Sequence, residues 1–485
     1  MPVPGRGRVE AERFVVEQLE PLIERRGGHT LSSPTVRGGQ DAADAALARF
    51  DVTGYAAGHR FAYPQPRRVG SRLSPYLRHG LLSFAQPWDR VAAGPPADVA
   101  AFRRALLRAE YARHAYAAGV NHHGRTVGAD TGQVDGGRPR RSGEPPTLDP
   151  EPGTNLGWNR RMGCIEIALG ELVEDGWLVD EARRWLAIDW SVHRGQRWTD
   201  GWDHLFRHSI DGSQAVGSQV AAWLSGLAPE AVAPAPGDRP AGRPLPVFSR
   251  LDVERWAPGL CASCELVHRC PVEDSVDRVG RELGLRTGAG EPDPADLRSG
   301  LDELIGSDAA RIGPMPPGPG GGVEPRGSSW AEAAAGFGPR RFGGPDQPLR
   351  YRRPDTVWLT AESLGPGDPA AAAHPELPVV FVFDRPLLTA LRLSPKRLVF
   401  WVETLAELAT TREVELWSGD PIAVLTGRHP ATTYAPVPGW HRRAVRIDPA
   451  EIHPWPWLVD PHRGDPTTSF ERWVASVAFR QTGTR

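Results

Sequence analysis

Through the first half of the chain, apolar residues recur every three or four positions; beyond it they change to short continuous runs. From Val9 to Arg25, Ala42 to Phe50, Asp98 to Ala118, Gly163 to Glu174, Asp180 to His193 and Trp202 to His208, they fall at i, i+3 and i+4. That spacing stacks them on one helix face. After about residue 350 the runs shorten. Thr356 to Thr360 and Val414 to Trp417 are strand-like, and Pro378 to Asp384 (PVVFVFD) is β-branched and aromatic. Leu398 to Leu408 is helical between two of them. Strand, helix and strand in alternation predict a parallel sheet. The fold class expected is mainly α: a helical domain first, then a smaller α/β domain of Rossmann type.

Loop-forming composition separates these blocks. His122 to Leu156 is rich in Gly, Arg and Pro, and 229–246 is rich in Pro, Ala and Gly. The clearest linker runs from Ile312 to Pro348 and contains Pro316-Pro317-Gly318-Pro319 followed by three glycines. The boundaries that follow are an N-terminal extension over 1–35, a helical domain over 36–311, a linker over 312–349 and an α/β domain over 350–485. No internal repeat is evident.

A chain of 485 residues can build two or three cores, and its mix of 40% hydrophobic and 24% charged residues is that of a folded protein. The longest apolar stretch, Leu377 to Phe383, is far too short to cross a bilayer. Met1 to Arg13 is charged and lacks the apolar segment of a secretory signal, so a cytoplasmic location is expected, with no membrane partner. The formal net charge of −2 does not advertise nucleic-acid binding by the whole chain. Lys396 is the only lysine and every other basic side chain is arginine, as a GC-rich coding sequence would give. Arginine's planar fork also suits phosphate, so a local basic groove stays open.

The four cysteines carry the sharpest chemistry. Cys261 and Cys264 form a C-x2-C pair, Cys270 follows just before Pro271, and Cys164 lies far upstream. In a cytoplasmic protein this pattern argues against disulfides. Thiolates at C-x2-C spacing turn toward one metal site. A 4Fe-4S cluster on all four is the first reading and a structural zinc on the same ligands the second; ordinary thiols are the plain alternative. His268 lies in the loop as a spare ligand or a solvent-facing side chain.

Ser71-Arg72-Leu73-Ser74-Pro75-Tyr76-Leu77 with Gly80, and Tyr55 ahead of it, resembles the entrance to the FAD-binding domain of the photolyase/cryptochrome superfamily. Apart from the resemblance, two serine hydroxyls and free N–H groups before a helix form a phosphate cradle, to which Arg72 adds charge. The same residues also suit a helix start capped by Ser74 with Pro75 in the first turn. Leu107 to Arg113 resembles a further family helix without its tryptophan. Around Gly176-Trp177, Arg183 falls where the family places an arginine beside the flavin ring, and Asp211 in Ile210-Asp211-Gly212 falls at that arginine's acidic partner. An ordinary interhelical salt bridge is the competing reading of that pair. The resemblance therefore implies FAD, bound through Tyr55, Ser71, Arg72, Leu73, Ser74, Arg183 and Asp211, with Arg183 and Asp211 tuning its redox chemistry.

Met162-x-Cys164 together with the downstream cysteines is similar to the bacterial iron–sulfur branch of that superfamily. Thr356 to Leu359, Gly367 to Ala370, Pro378 to Asp384, Leu393 to Leu398 and Trp417 to Pro421 resemble, in order, its antenna domain. In the family that domain comes first; here it comes second, a circular permutation. Several positions depart from the pattern. Val179-Asp180 replaces a pair that in the iron–sulfur branch holds a histidine proton donor, Ser213 replaces a second acid, Gly217 stands where many members face the flavin N5, and Ala221 replaces a tryptophan while Trp223 is kept. Trp177, Trp185, Trp190, Trp198, Trp202 and Trp223 crowd this region as relay candidates or as packing. The functions implied are light-driven electron transfer with damaged DNA as substrate, a non-repairing sensor with a protein signalling partner, or a flavin-free module stapled by zinc.

Overall fold

The computed structural model describes residues 1–23, 30–118, 158–194, 196, 198–217, 248–273, 344–461, 464–466 and 470–481. The loops predicted over 122–156 and 229–246, the linker over 312–343, and Ala221 and Trp223 lie outside these residues.

Helices dominate the first half. The predicted runs appear as α1 (Arg8–Gln18), α2 (Gln40–Arg49), α6 (Pro96–Ala117), α7 (Gly163–Glu174), α8 (Asp180–Ile188) and α9 (Trp198–His208), with the short α3 (Tyr55–Gly58), α4 (Ser74–Arg78), α5 (Ala85–Arg90) and α10 (Arg250–Trp256) between them. Beyond Ile188 the chain widens into a π turn over Asp189–His193.

The second half holds one six-stranded sheet in the order β1-β6-β5-β2-β3-β4. The strands are β1 (Leu349–Arg350), β2 (Thr356–Leu359), β3 (Val379–Asp384), β4 (Val414–Gly419), β5 (Pro430–Thr433) and β6 (Glu451–His453). All neighbours are parallel except β1, which pairs antiparallel with β6. The five parallel strands wind outward from β2 in both directions, the doubly wound arrangement whose switch point lies between β2 and β5. Strand β2 is buried at all four residues and β3 at its first five, as both-face coverage requires. Each such Val or Phe contributes about 1.5–3 kcal/mol by leaving water. Three strands escaped the sequence reading, the two-residue β1 among them. β5 reads PATT and β6 reads EIH, too short and polar to stand out.

Both ends of the chain cross between the halves. Helix α1 lies on α13 (Pro395–Leu408), Phe14 meets Phe383 at 6.1 Å, and the Met1 ammonium donates to the Leu416 carbonyl at 2.7 Å. After β6 the chain returns to α6, where the buried Glu110 carboxylate accepts from Leu458 N at 2.6 Å and Val459 N at 3.2 Å. Helix α16 (Phe470–Gln481) then packs Phe470 and Trp473 on Tyr111. One apolar cluster accordingly runs from Ala11 to Val477.

The seam between the halves is polar and closely fitted. Arg37 and Gly38 N bind Glu403, and Gly39 N donates to Thr404 Oγ1. A Cβ on Gly38 would collide with the Phe400 carbonyl, so glycine lets the two backbones meet. Arg78 pairs with Glu362, and the buried Arg397 donates to the Ser209 and Phe206 carbonyls while lying over the Phe206 ring. Among the described residues no helix is long and apolar enough to cross a membrane.

Candidate functional site

Two separate segments deliver the four cysteines to one hollow. Cys164 sits in the first turn of α7, Cys261 and Cys264 in the turns after α10, and Cys270 just beyond. The hollow is partly open to solvent, with a cavity of about 20 Å³, and all four cysteines line it. Most of the remaining lining is apolar: Met162, Val253, Leu260, Leu266, Val267 and Val272.

The loop is built to present sulfur. Cys264 N donates to the Cys261 carbonyl at 3.2 Å, closing the C-x2-C turn. Glu254 anchors that turn by accepting from Gly259 N at 2.8 Å and Cys261 N at 3.0 Å. Cys264 Sγ accepts from Gly163 N at 3.3 Å, tying the loop to the start of α7. His268 is exposed and does not line the hollow.

Electrostatics say what the hollow lacks. Burial raises the Cys164 thiol well above its usual range, and Asp189, Cys270 and Cys261 push it further. Burial and Glu254 take Cys261 up to about 12. Thiols gathered this closely ionise only around a cation. Among the described residues, no three of these sulfurs lie within 4.8 Å of one another. Four thiolates on one zinc, with bonds of about 2.3 Å, would stand about 3.8 Å apart. A polynuclear cluster places each thiolate on its own iron and takes wider spacing.

The residues singled out by the flavin resemblance fall into two groups. Ser74, Trp177, Arg183 and Asp211 form one hydrogen-bonded chain. Arg183 Nη2 donates to both Asp211 oxygens at 2.8 Å, Ser74 Oγ donates to Asp211 Oδ2 at 2.6 Å, and Trp177 Nε1 donates to Ser74 Oγ at 2.9 Å. A tie from Ile210 N to the Gly176 carbonyl at 2.8 Å brings the Asp211 turn to the start of α8. Burial works against the Arg183 charge, but Asp211 outweighs it and the guanidinium pKa rises. Arg72 lies over the Trp177 ring at 4.8 Å and donates to Thr35 Oγ1 at 2.8 Å, with a left-handed φ of 53°. Ser71 Oγ accepts from Leu73 N at 3.3 Å, and Leu73 is fully buried.

Tyr55 stands outside the chain. It stacks on His59 at 4.6 Å and meets Phe102 edge-on at 5.2 Å. Asp180 links the two groups electrostatically, since its charge acts on Tyr55, Arg108 and Arg183. The cap reading of Ser74 fails: the residue before α4 is Leu73, no side chain caps the helix, and the Ser74 hydroxyl goes to Asp211.

The departures have visible causes. Val179 is buried in the core as the residue before α8. Gly217 is set by packing, because a Cβ there would overlap the Trp202 indole. Trp190 lies against Trp158 at 4.8 Å, Trp185 is fully buried, and Trp202 Nε1 donates to Gln214 Oε1 at 3.1 Å.

A third group was missed in the sequence. His374 Nε2 lies 2.7 Å from Glu451 Oε2, and His453 Nε2 lies 3.3 Å from Glu451 Oε1. Burial would raise the Glu451 pKa, but His453, Arg350 and His374 outweigh it and hold it at about 2. Only Glu451-x-His453 was legible as a strand spacing, and β6 itself was not recognised. His374 is 77 positions away from Glu451. No known family model matches this chain, and no curated protein matches it.

Proposed function

We propose that the chain is a photolyase/cryptochrome-type flavoprotein that binds FAD beside the Arg183–Asp211 pair, carries a 4Fe-4S cluster on Cys164, Cys261, Cys264 and Cys270, and moves electrons in response to light. The observation that carries this reading is the convergence of Cys164, about 100 residues upstream, and the Cys261–Cys270 loop on one hollow that all four line. The Ser74–Trp177–Arg183–Asp211 chain supports the flavin half. Helical part first and doubly wound sheet second is the order that a permuted antenna domain would give.

Bound FAD would supply a chromophore that accepts and returns electrons. The chain's own residues do the rest. Asp211 holds Arg183 in one orientation and keeps it charged, so it would offer a bound flavin a fixed cation. Ser74 and Trp177 lock the Asp211 carboxylate, and Ser71, Arg72, Leu73 and Ser74 would hold the diphosphate. The apolar walls of the cysteine hollow would limit water around a cluster.

Repair of (6-4) lesions is not expected, because Val179 has no proton to give where the branch holds a histidine. Damaged DNA is then a weaker partner than a signalling protein. A flavin-free, zinc-stapled module is the second reading, favoured by the Trp202 indole that fills the space beside Gly217.

The test is blue illumination of the purified full chain under anaerobic conditions with a sacrificial donor, followed by a photoreactivation assay on irradiated DNA. The expected result is bleaching of a flavin band with no (6-4) repair. Efficient repair would overturn the loss of proton donation, and the absence of any light-dependent change would overturn the flavin.

A further inference from the structure

We propose that His374, Glu451 and His453 form a binding site for a divalent transition metal, with zinc the best fit, distinct in every residue from the cysteine hollow. Glu451 and His453 are two apart on β6, so their side chains leave the same face of the sheet. His374 follows α11 (Pro369–Ala373) and completes the set from across that face. The three donor atoms all lie within 4.8 Å of one another. The 3.3 Å spacing matches two ligand atoms on one tetrahedral ion with bonds of about 2.0–2.1 Å, and the 2.7 Å contact is a hydrogen bond that an ion would replace after a small shift.

Hydrogen bonding alone leaves the cluster incomplete. Arg350 Nε donates to Glu451 Oε1 at 2.6 Å and His374 Nε2 meets Oε2, which occupies the carboxylate. His453 Nε2 is buried 3.3 Å from Oε1, outside good hydrogen-bond geometry. That is a poor contact for a buried imidazole nitrogen. An ion bound by both imidazoles and the Glu451 carboxylate would satisfy both rings at once. Two nitrogens and one carboxylate suit zinc and its neighbours, whereas calcium and magnesium call for oxygen.

The frame is set before any ion arrives. Arg412 donates to the Ala371 carbonyl at 2.7 Å and also to the His374 carbonyl, fixing the turn that carries His374. Tyr434 N donates to the His453 carbonyl at 2.8 Å. Asp368, buried nearby, caps α11 by accepting from Ala371 N at 2.9 Å and fixes the helix that precedes His374. The His374 side chain is 17% exposed and gives the ion an approach from solvent.

Zinc titration of the chelator-treated full chain, followed by calorimetry, tests the site. The variants are His374→Ala, Glu451→Gln and, as a control for the thiols, Cys264→Ser. The expected result is one zinc equivalent retained in Cys264→Ser and weakened at least about 100-fold in the other two, more than the loss of a merely orienting group costs. His374→Ala is the variant least exposed to misfolding, and zinc should raise the melting temperature of the wild type but not of that variant. Equal zinc uptake by wild type and His374→Ala, or an equivalent lost only with Cys264, would overturn the site.

Discussion

Single residues decide most of what this chain can do, and His79 illustrates how. It is fully buried at the seam, with Nδ1 2.7 Å from the Ala361 carbonyl and Nε2 facing the Ile210 carbonyl and the Trp401 indole N–H. Burial, and then the neighbouring Arg78, push its pKa down to about 3. The folded imidazole therefore stays neutral where the unfolded one, near about 6.5, takes a proton. Stability linked to His79 is complete above about pH 6.5 and is lost as pH falls toward 3. Between about pH 7 and about pH 5 the wild type should lose up to about 2 kcal/mol more than His79→Gln, read from urea midpoints. Equal losses in the two proteins would count against the neutral assignment.

At the scale of elements, one buried carboxylate helps anchor the return of the C-terminal segment to α6, beside the packing of Phe470 and Trp473 on Tyr111. Glu110 is 1% exposed and accepts from two consecutive backbone N–H groups. Glu110→Ala would leave both donors buried without a partner, at about 2–4 kcal/mol in all. Limited proteolysis should then cut within 455–481 well before the sheet, and unchanged resistance would refute the anchoring role. The elements also mark how far the sequence could be read. Helices α6, α7 and α13 and strand β3 were legible because their apolar spacing or β-branched run is long. Strands β5 and β6 were not, since three or four residues with Thr, Glu and His carry no period; their pairing with each other and with β2 and β1 makes them strands. The cysteine set was legible from spacing alone, and Arg183 with Asp211 from the resemblance. The His374–Glu451–His453 group was invisible because it requires the register of β6 against a helix end from another crossover.

For the whole molecule, the two halves share one apolar core and exchange their ends, with α1 on the sheet side and α16 on the helical side. The cysteine hollow and the Arg183–Asp211 chain both belong to the helical half, reached from α7, α8 and the turn after α9. A cluster and a flavin held there would be fixed by a scaffold braced against the sheet through Arg78, Glu362 and Arg397. The account stands or falls on what the purified chain contains. The most direct measurement is its anaerobic absorption spectrum with iron, zinc and flavin quantified per chain. The account predicts a flavin band with a broad iron–sulfur shoulder, about one flavin and about four irons, the iron lost in Cys164→Ser. A colourless protein with one zinc on its cysteines and no flavin would contradict it.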